Sequence, residues 1–230
     1  MAPGMPSESP LPSGDVPPAP PSKGERTAGR ILDAAERLFG ERGYDGTALR
    51  DVADAVGIRT PSLYNHFESK ERLYAAVLDR SIKPVLAMLD RVVEAPTEEQ
   101  PGPAEMIAAV MDLLTAHPHL PRLLLHETLA GGQRMTPALR ERLAPIFSKA
   151  FTTVEAADER GRFAPDQIPL VVLALYHAVV GYYTIAPLYS ELMGADLLSD
   201  TLRASQTRFL TELSESLFER SPGSSPRRRP

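Results

Sequence analysis

Few residues in this chain have the types and spacing that chemistry needs. His126 and Glu127 open a helical zinc-protease motif, but position 130 is alanine where the motif needs its second histidine. His117-Pro118-His119 has chelating spacing, yet it lies among prolines between helical segments and reads as a solvated pair. Gly131-Gly132 lacks the lysine and serine partners of a phosphate loop. The absence of cysteine removes disulfides, thiolate metal sites and a cysteine nucleophile, and it suits a reducing compartment. No serine, histidine and acid come together from the sequence, so no enzyme, cofactor or metal is expected. One dense set remains: Arg59, Thr60, Ser62, Tyr64, Asn65 and His66 crowd hydrogen-bonding groups onto one very short segment. A purely structural helix of that length has no need of them.

The elements around this set are helical. Ile31, Leu32, Ala34, Ala35, Leu38 and Phe39 share a face at helical spacing, and Gly43 stops that helix. A second helix is expected to start at Thr47 as N-cap and to bury Val52, Ala53 and Val56 before Gly57 turns the chain. Thr60-Pro61 reads as a cap followed by a first-position proline, opening a third short helix through Tyr64. Ser69 caps a fourth that carries Leu73, Val77 and Leu78, and Pro84 is expected to kink or interrupt it. Two short helices joined by Gly57-Ile58-Arg59 have the layout of a helix-turn-helix within residues 26–80.

Thr47 to Lys70, with Asp51-Val52-Ala53, Gly57-Ile58, Leu63-Tyr64, His66-Phe67 and Ser69-Lys70, resembles the signature of the tetracycline-repressor (TetR) family of transcriptional regulators. Residues 31–49 are similar to the family's first helix and turn. Pro61 departs from the pattern, since many members carry a small residue or glycine there. The resemblance implies that Thr47 and the amide end of its helix hold a phosphate. It implies that Arg50 reaches a base edge or phosphate, and that Arg59, Thr60, Pro61 and Ser62 face the major groove, with Arg59 matched to guanine. Tyr64, His66 and Lys70 would bond phosphates, and Asn65 either reads a base or is simply exposed. Leu63, Phe67 and Ala53 are core, and Tyr44 is assigned to packing.

Net charge is a poor guide here. The chain carries −5, and residues 23–80 hold ten basic and ten acidic side chains, so any affinity for DNA must come from a few placed contacts. Residues 1–22 contain eight prolines and almost no large apolar side chain, and 221–230 end in Arg227-Arg228-Arg229; both read as disordered tails. The expected organisation is a DNA-binding domain over 23–80 and a helical ligand-binding and dimerisation domain over 81–220.

Beyond a loop at 95–103, apolar helical segments lie near 104–116, 120–130, 137–160, 166–189 and 196–219. Alternating strand patterns are missing, so the fold class is all-α. Ile168 to Ser190 carries no formal charge and is long enough to span a membrane. Its interior Pro169, His177, Gly181 and Thr184 and its acidic flanks Asp166 and Glu191 favour a helix buried against its own subunit and a partner. The family resemblance implies that the last two helices pair across a two-fold axis, giving a homodimer on a palindromic operator. It also implies a small-molecule pocket, for which Met106, Met111, Leu125, His126, Tyr176 and His177 are the candidates, and the few charges on the apolar helices point to an apolar or weakly polar effector. The resulting expectation is a cytoplasmic, ligand-responsive repressor, with a constitutive regulator or an activator as the alternative.

Overall fold

The computed structural model describes residues 22–94, 100–158 and 161–218. Most of the proline-rich N-terminal segment, the 95–99 part of the loop and the arginine-rich C-terminus lie outside the described residues. Among the described residues there are nine helices and no strand.

Helix α1 (Lys23–Arg42) begins at a reciprocal cap, in which the Ser22 hydroxyl accepts from the Glu25 amide and the Glu25 carboxylate accepts from the Ser22 amide. It buries Ile31, Ala35, Leu38 and Phe39, and it ends at Gly43 with φ of 71°. Helix α2 (Leu49–Val56) buries Val52, Ala53 and Val56. Gly57 closes it in the left-handed conformation, φ 74° and ψ 36°. The Gly57 amide bonds the Asp54 carbonyl and the Ile58 amide bonds that of Ala53, a pairing that needs positive φ at the glycine. Arg30 reaches across from α1 and donates to the Val56 carbonyl at 2.5 Å. Helix α3 (Thr60–Tyr64) is held from below by Leu63, which is fully buried.

Two helix starts differ from expectation. The N-cap of α2 is Ala48, because the preceding turn tucks Thr47 beneath the end of α1. The N-cap of α3 is Arg59, so Thr60 is already helical and Pro61 occupies the second position, where its missing N–H still costs no intrahelical bond.

Helix α4 (Lys70–Glu94) joins the two ends of the molecule, and at 25 residues it is about 37 Å long. The Ser69 hydroxyl accepts from the Arg72 amide at its start. Pro84 does not interrupt α4, although its ring leaves the Arg80 carbonyl without the usual donor four residues on. Arg80 ties α4 to α1 through Asp33 at 2.7 Å and Glu36 at 2.5 Å. A domain boundary at 80/81 therefore falls inside a helix.

The remaining helices are α5 (Pro103–Ala116), α6 (Leu120–Leu129), α7 (Pro137–Ala157), α8 (Ile168–Met193) and α9 (Asp200–Phe218). Thr136 caps α7 by accepting from the Leu139 amide, as its Thr-Pro start predicts. Helix α5 packs along α9, while α6 lies against both α8 and α1. One apolar core runs from Ile31 in α1 to Leu210 in α9, so head and body are packed as neighbours. Helix α8 is long and apolar enough to cross a membrane by length and composition. It buries Val172, Val179, Tyr183 and Ala186 inside the molecule, while Leu170, Ile185, Leu188 and Leu192 face outward.

Candidate nucleic-acid interface

Helices α2 and α3 form the helix-turn-helix, and its polar face is open. Arg59, Pro61, Ser62, Tyr64 and Asn65 are exposed, with Thr60 and His66 half-buried beside them. Among the described residues, the side chains of Arg59, Ser62 and Asn65 make no hydrogen bond or ion pair within the chain. Leu63 and Ala53 are core, as expected, and Phe67 is half-buried against it. Arg50 is exposed and weakly held by Asp54, at 3.7 Å one turn on in the same helix.

Thr47 does not fit the role that its position implies. It is 1 % exposed, and its hydroxyl lies 2.9 Å from the Gly43 carbonyl and 3.1 Å from that of Leu38. The Gly43 carbonyl lies just past the end of α1, where helical partners run out, and that of Leu38 in its last turns. Its hydroxyl therefore secures the turn and is not presented to a phosphate.

Behind the reading face, Tyr44 is packed rather than presented. The Lys70 ammonium lies 4.3 Å from its ring centre and the Arg134 guanidinium 4.5 Å. The Tyr44 hydroxyl donates to Glu71 at 2.6 Å. Burial, followed by this contact with Glu71, pushes the Tyr44 phenol up to about 12. The hydrogen bond from Tyr44 is the main cause that draws Glu71 down to about 2, with Ser69 helping.

The six effector candidates differ in burial, and two of them, Tyr176 and His177, meet edge-on with ring centres 5.2 Å apart. Met111 is buried in the core, Met106 and Tyr176 are half-buried, and Leu125 is exposed. His177 is exposed on α8, with Nδ1 2.6 Å from the Leu173 carbonyl of its own helix. Of the six, only His126 lines a described cavity, a space of about 600 Å³ between the α1–α2 turn and α6. Periodicity identified apolar faces, but it carries no information on which faces meet. His117 and His119 also part company, since His119 packs against Gly40 of α1.

The junction that holds head to body was not anticipated. Glu127 is 1 % exposed and accepts a 2.8 Å hydrogen bond from Tyr74, whose ring packs edge-on against Phe39 and Tyr44. Arg134 pairs with Asp45 at 3.1 Å, and the His126 ring lies against Gly43, where a Cβ would come within 3.2 Å of it. A signal was present: Leu120, Leu123 and Glu127 share one buried stripe of α6, and a carboxylate on such a stripe demands a partner.

Comparison with known proteins is decisive at both ends of the chain. Residues 31–77 match the family model for bacterial regulatory proteins of the tetR family, and residues 104–213 match a tetracyclin repressor-like C-terminal domain. The chain belongs to the TetR family. Within the family it is similar to the HTH-type transcriptional regulator RutR of Escherichia coli (strain K12), 28% identical over 73% of this chain and 78% of that protein. The biofilm operon icaADBC HTH-type negative transcriptional regulator IcaR of Staphylococcus aureus (strain Newman) is 42% identical over 64 residues, which are 28% of this chain and 32% of that protein. The ketosteroid transcriptional regulator KstR2 of Mycobacterium tuberculosis shares the fold, with a TM-score of 0.62 at 22% identity, over 82% of this chain and 93% of that one.

Proposed function

We propose that this TetR-family chain is a transcriptional repressor that binds a palindromic operator as a homodimer and is released by a small molecule. One observation carries the DNA-binding part: Arg59, Ser62 and Asn65 stand exposed and unengaged among the described residues, on a short helix fixed from below by buried Leu63. Arg59, Thr60, Pro61 and Ser62 enter the major groove, and Arg50 reaches a base edge or a phosphate from α2. Tyr64, His66, Lys70 and the first amides of α2 hold phosphates and set register, while Asn65 lies at the margin of the reading set. Two such heads on a two-fold dimer address half-sites about 34–36 Å apart or a multiple of that distance. The dimer forms through α8 and α9, whose outward apolar side chains include Leu188, Leu192, Phe209 and Leu213. The protein works in the cytoplasm, on DNA.

The test is footprinting of the full-length protein on the DNA upstream of its own gene, with and without metabolite extracts. A protected palindrome that an extract releases is the expected result. Protection that no extract alters would leave a constitutive regulator, and no protection at all would remove the operator reading.

A further inference from the structure

The cavity at the junction is polar, and its Arg134 already engages Asp45. A second cavity is different in kind. It is a groove of about 370 Å³ between α4 and α5, walled by Pro84, Met88 and Leu113 with two alanines, and lined also by Arg91 and His117. No lining residue is acidic. Among the described residues, neither the Arg91 guanidinium nor the His117 ring makes a hydrogen bond or an ion pair. Arg91 sits in the last turn of α4 and His117 caps the end of α5. A cation is favourable in the last turn of a helix, but that preference does not explain an unengaged guanidinium beside an apolar groove that no acidic residue lines.

We infer that this groove is the effector site and that it takes an amphipathic monoanion. The inference rests on the ligand-responsive reading above. The guanidinium of Arg91 offers paired N–H donors that match a carboxylate, and the imidazole of His117, on the same groove, adds a polar group to its lining. The apolar body of the ligand lies along Pro84, Met88 and Leu113. The volume is at the small end of the range of about 300–1,000 Å³ that such sites span. The charged end revises the apolar or weakly polar effector expected from composition.

The position suits regulation. Pro84 leaves a backbone carbonyl of α4 without its donor, and the hydroxyl of buried Ser81 has no partner among the described residues. Helix α4 thus lacks one backbone hydrogen bond where the groove begins. A ligand that ties its distal half to α5 biases the direction of the helix that carries Tyr74 and Arg80, both fastened to the head. Operator affinity then changes by the ligand's difference in affinity between the two arrangements.

The experiment uses the full-length protein with octanoate, octanol and octylamine, read by titration calorimetry and by operator binding. Octanoate should bind saturably, octanol at least about tenfold more weakly, and octylamine not at all. Arg91→Ala with His117→Ala should lose about tenfold or more for octanoate, Arg91→Lys should retain part of it, and Arg91→Glu should turn the preference toward octylamine. Both side chains reach solvent, so circular dichroism and melting should match the parent. Absence of octanoate binding, equal binding of octanol, or an unaffected double variant would overturn the site. Octanoate binding that the double variant loses supports the site even if operator affinity does not move, and ligand control is then what fails. Release by an extract that the double variant retains overturns the site and leaves ligand control standing.

Discussion

Arg59 is both the N-cap of α3 and an exposed guanidinium with no partner among the described residues, so its backbone builds the helix while its side chain is unengaged, as the proposed base contact requires. Replacing it with alanine should cost about 1–3 kcal/mol of operator affinity and relax the choice at one base position, as measured by anisotropy on a panel of single-base operator variants. A uniform loss across the panel would instead make Arg59 a phosphate contact. The pair Tyr44–Glu71 makes a prediction about pH. Glu71 titrates near 2 in the fold against an ordinary value of 4.5. Its stabilising contribution is present above 4.5 and fades as pH falls from 4.5 toward 2. Both Glu71→Gln and Tyr44→Phe should therefore flatten the acid limb of a plot of urea midpoint against pH. An acid limb unchanged in both variants would contradict the assignment.

At the scale of elements, α4 and α6 meet through a buried polar contact that neither helix could satisfy alone. Tyr74 supplies the hydrogen bond that Glu127 receives, and the second Glu127 oxygen has no partner among the described residues. Tyr74→Phe would leave a buried carboxylate with none at all, at an expected cost of about 1–3 kcal/mol in a urea unfolding curve. The unfolding midpoint should fall; a midpoint equal to the parent's would show that the contact contributes nothing net. Caps at Ser22, Ser69 and Thr136 and glycine stops at Gly43, Gly57 and Gly194 set several helix ends, because they act over three or four residues. Thr47 shows the limit of such signals. Its side chain is a good cap in isolation, but the Gly43 and Leu38 carbonyls at the end of α1 engage it first.

At the scale of the molecule, the outward face of α8 and α9 is too apolar to be ordinary surface. Leu170, Leu192, Met193 and Phe209 are each more than half exposed. Leu188→Glu combined with Phe209→Glu should yield monomers in sedimentation velocity with head secondary structure retained, and operator binding should fall sharply because one head replaces two. A double variant that still sediments as a dimer would place the interface elsewhere. Two-fold presentation also answers the balanced charge of the head, since affinity then comes from a few contacts made twice.

The all-α class, most helix boundaries to within a few residues and the polar set from Arg59 to His66 were legible in the sequence. Capping, glycine conformation and apolar spacing are local, and they act before any helix meets another. The tertiary structure alone decided which side chains meet. Thr47 turned inward, and the six effector candidates took buried, half-buried and exposed positions. Tyr74 met Glu127 across 53 residues, and Arg91 and His117 came to line one groove. Periodicity says which face of a helix is buried, but the partner of that face depends on how several helices pack at once. For that reason the reading head could be located from its own residues, while the effector groove needed the assembled body.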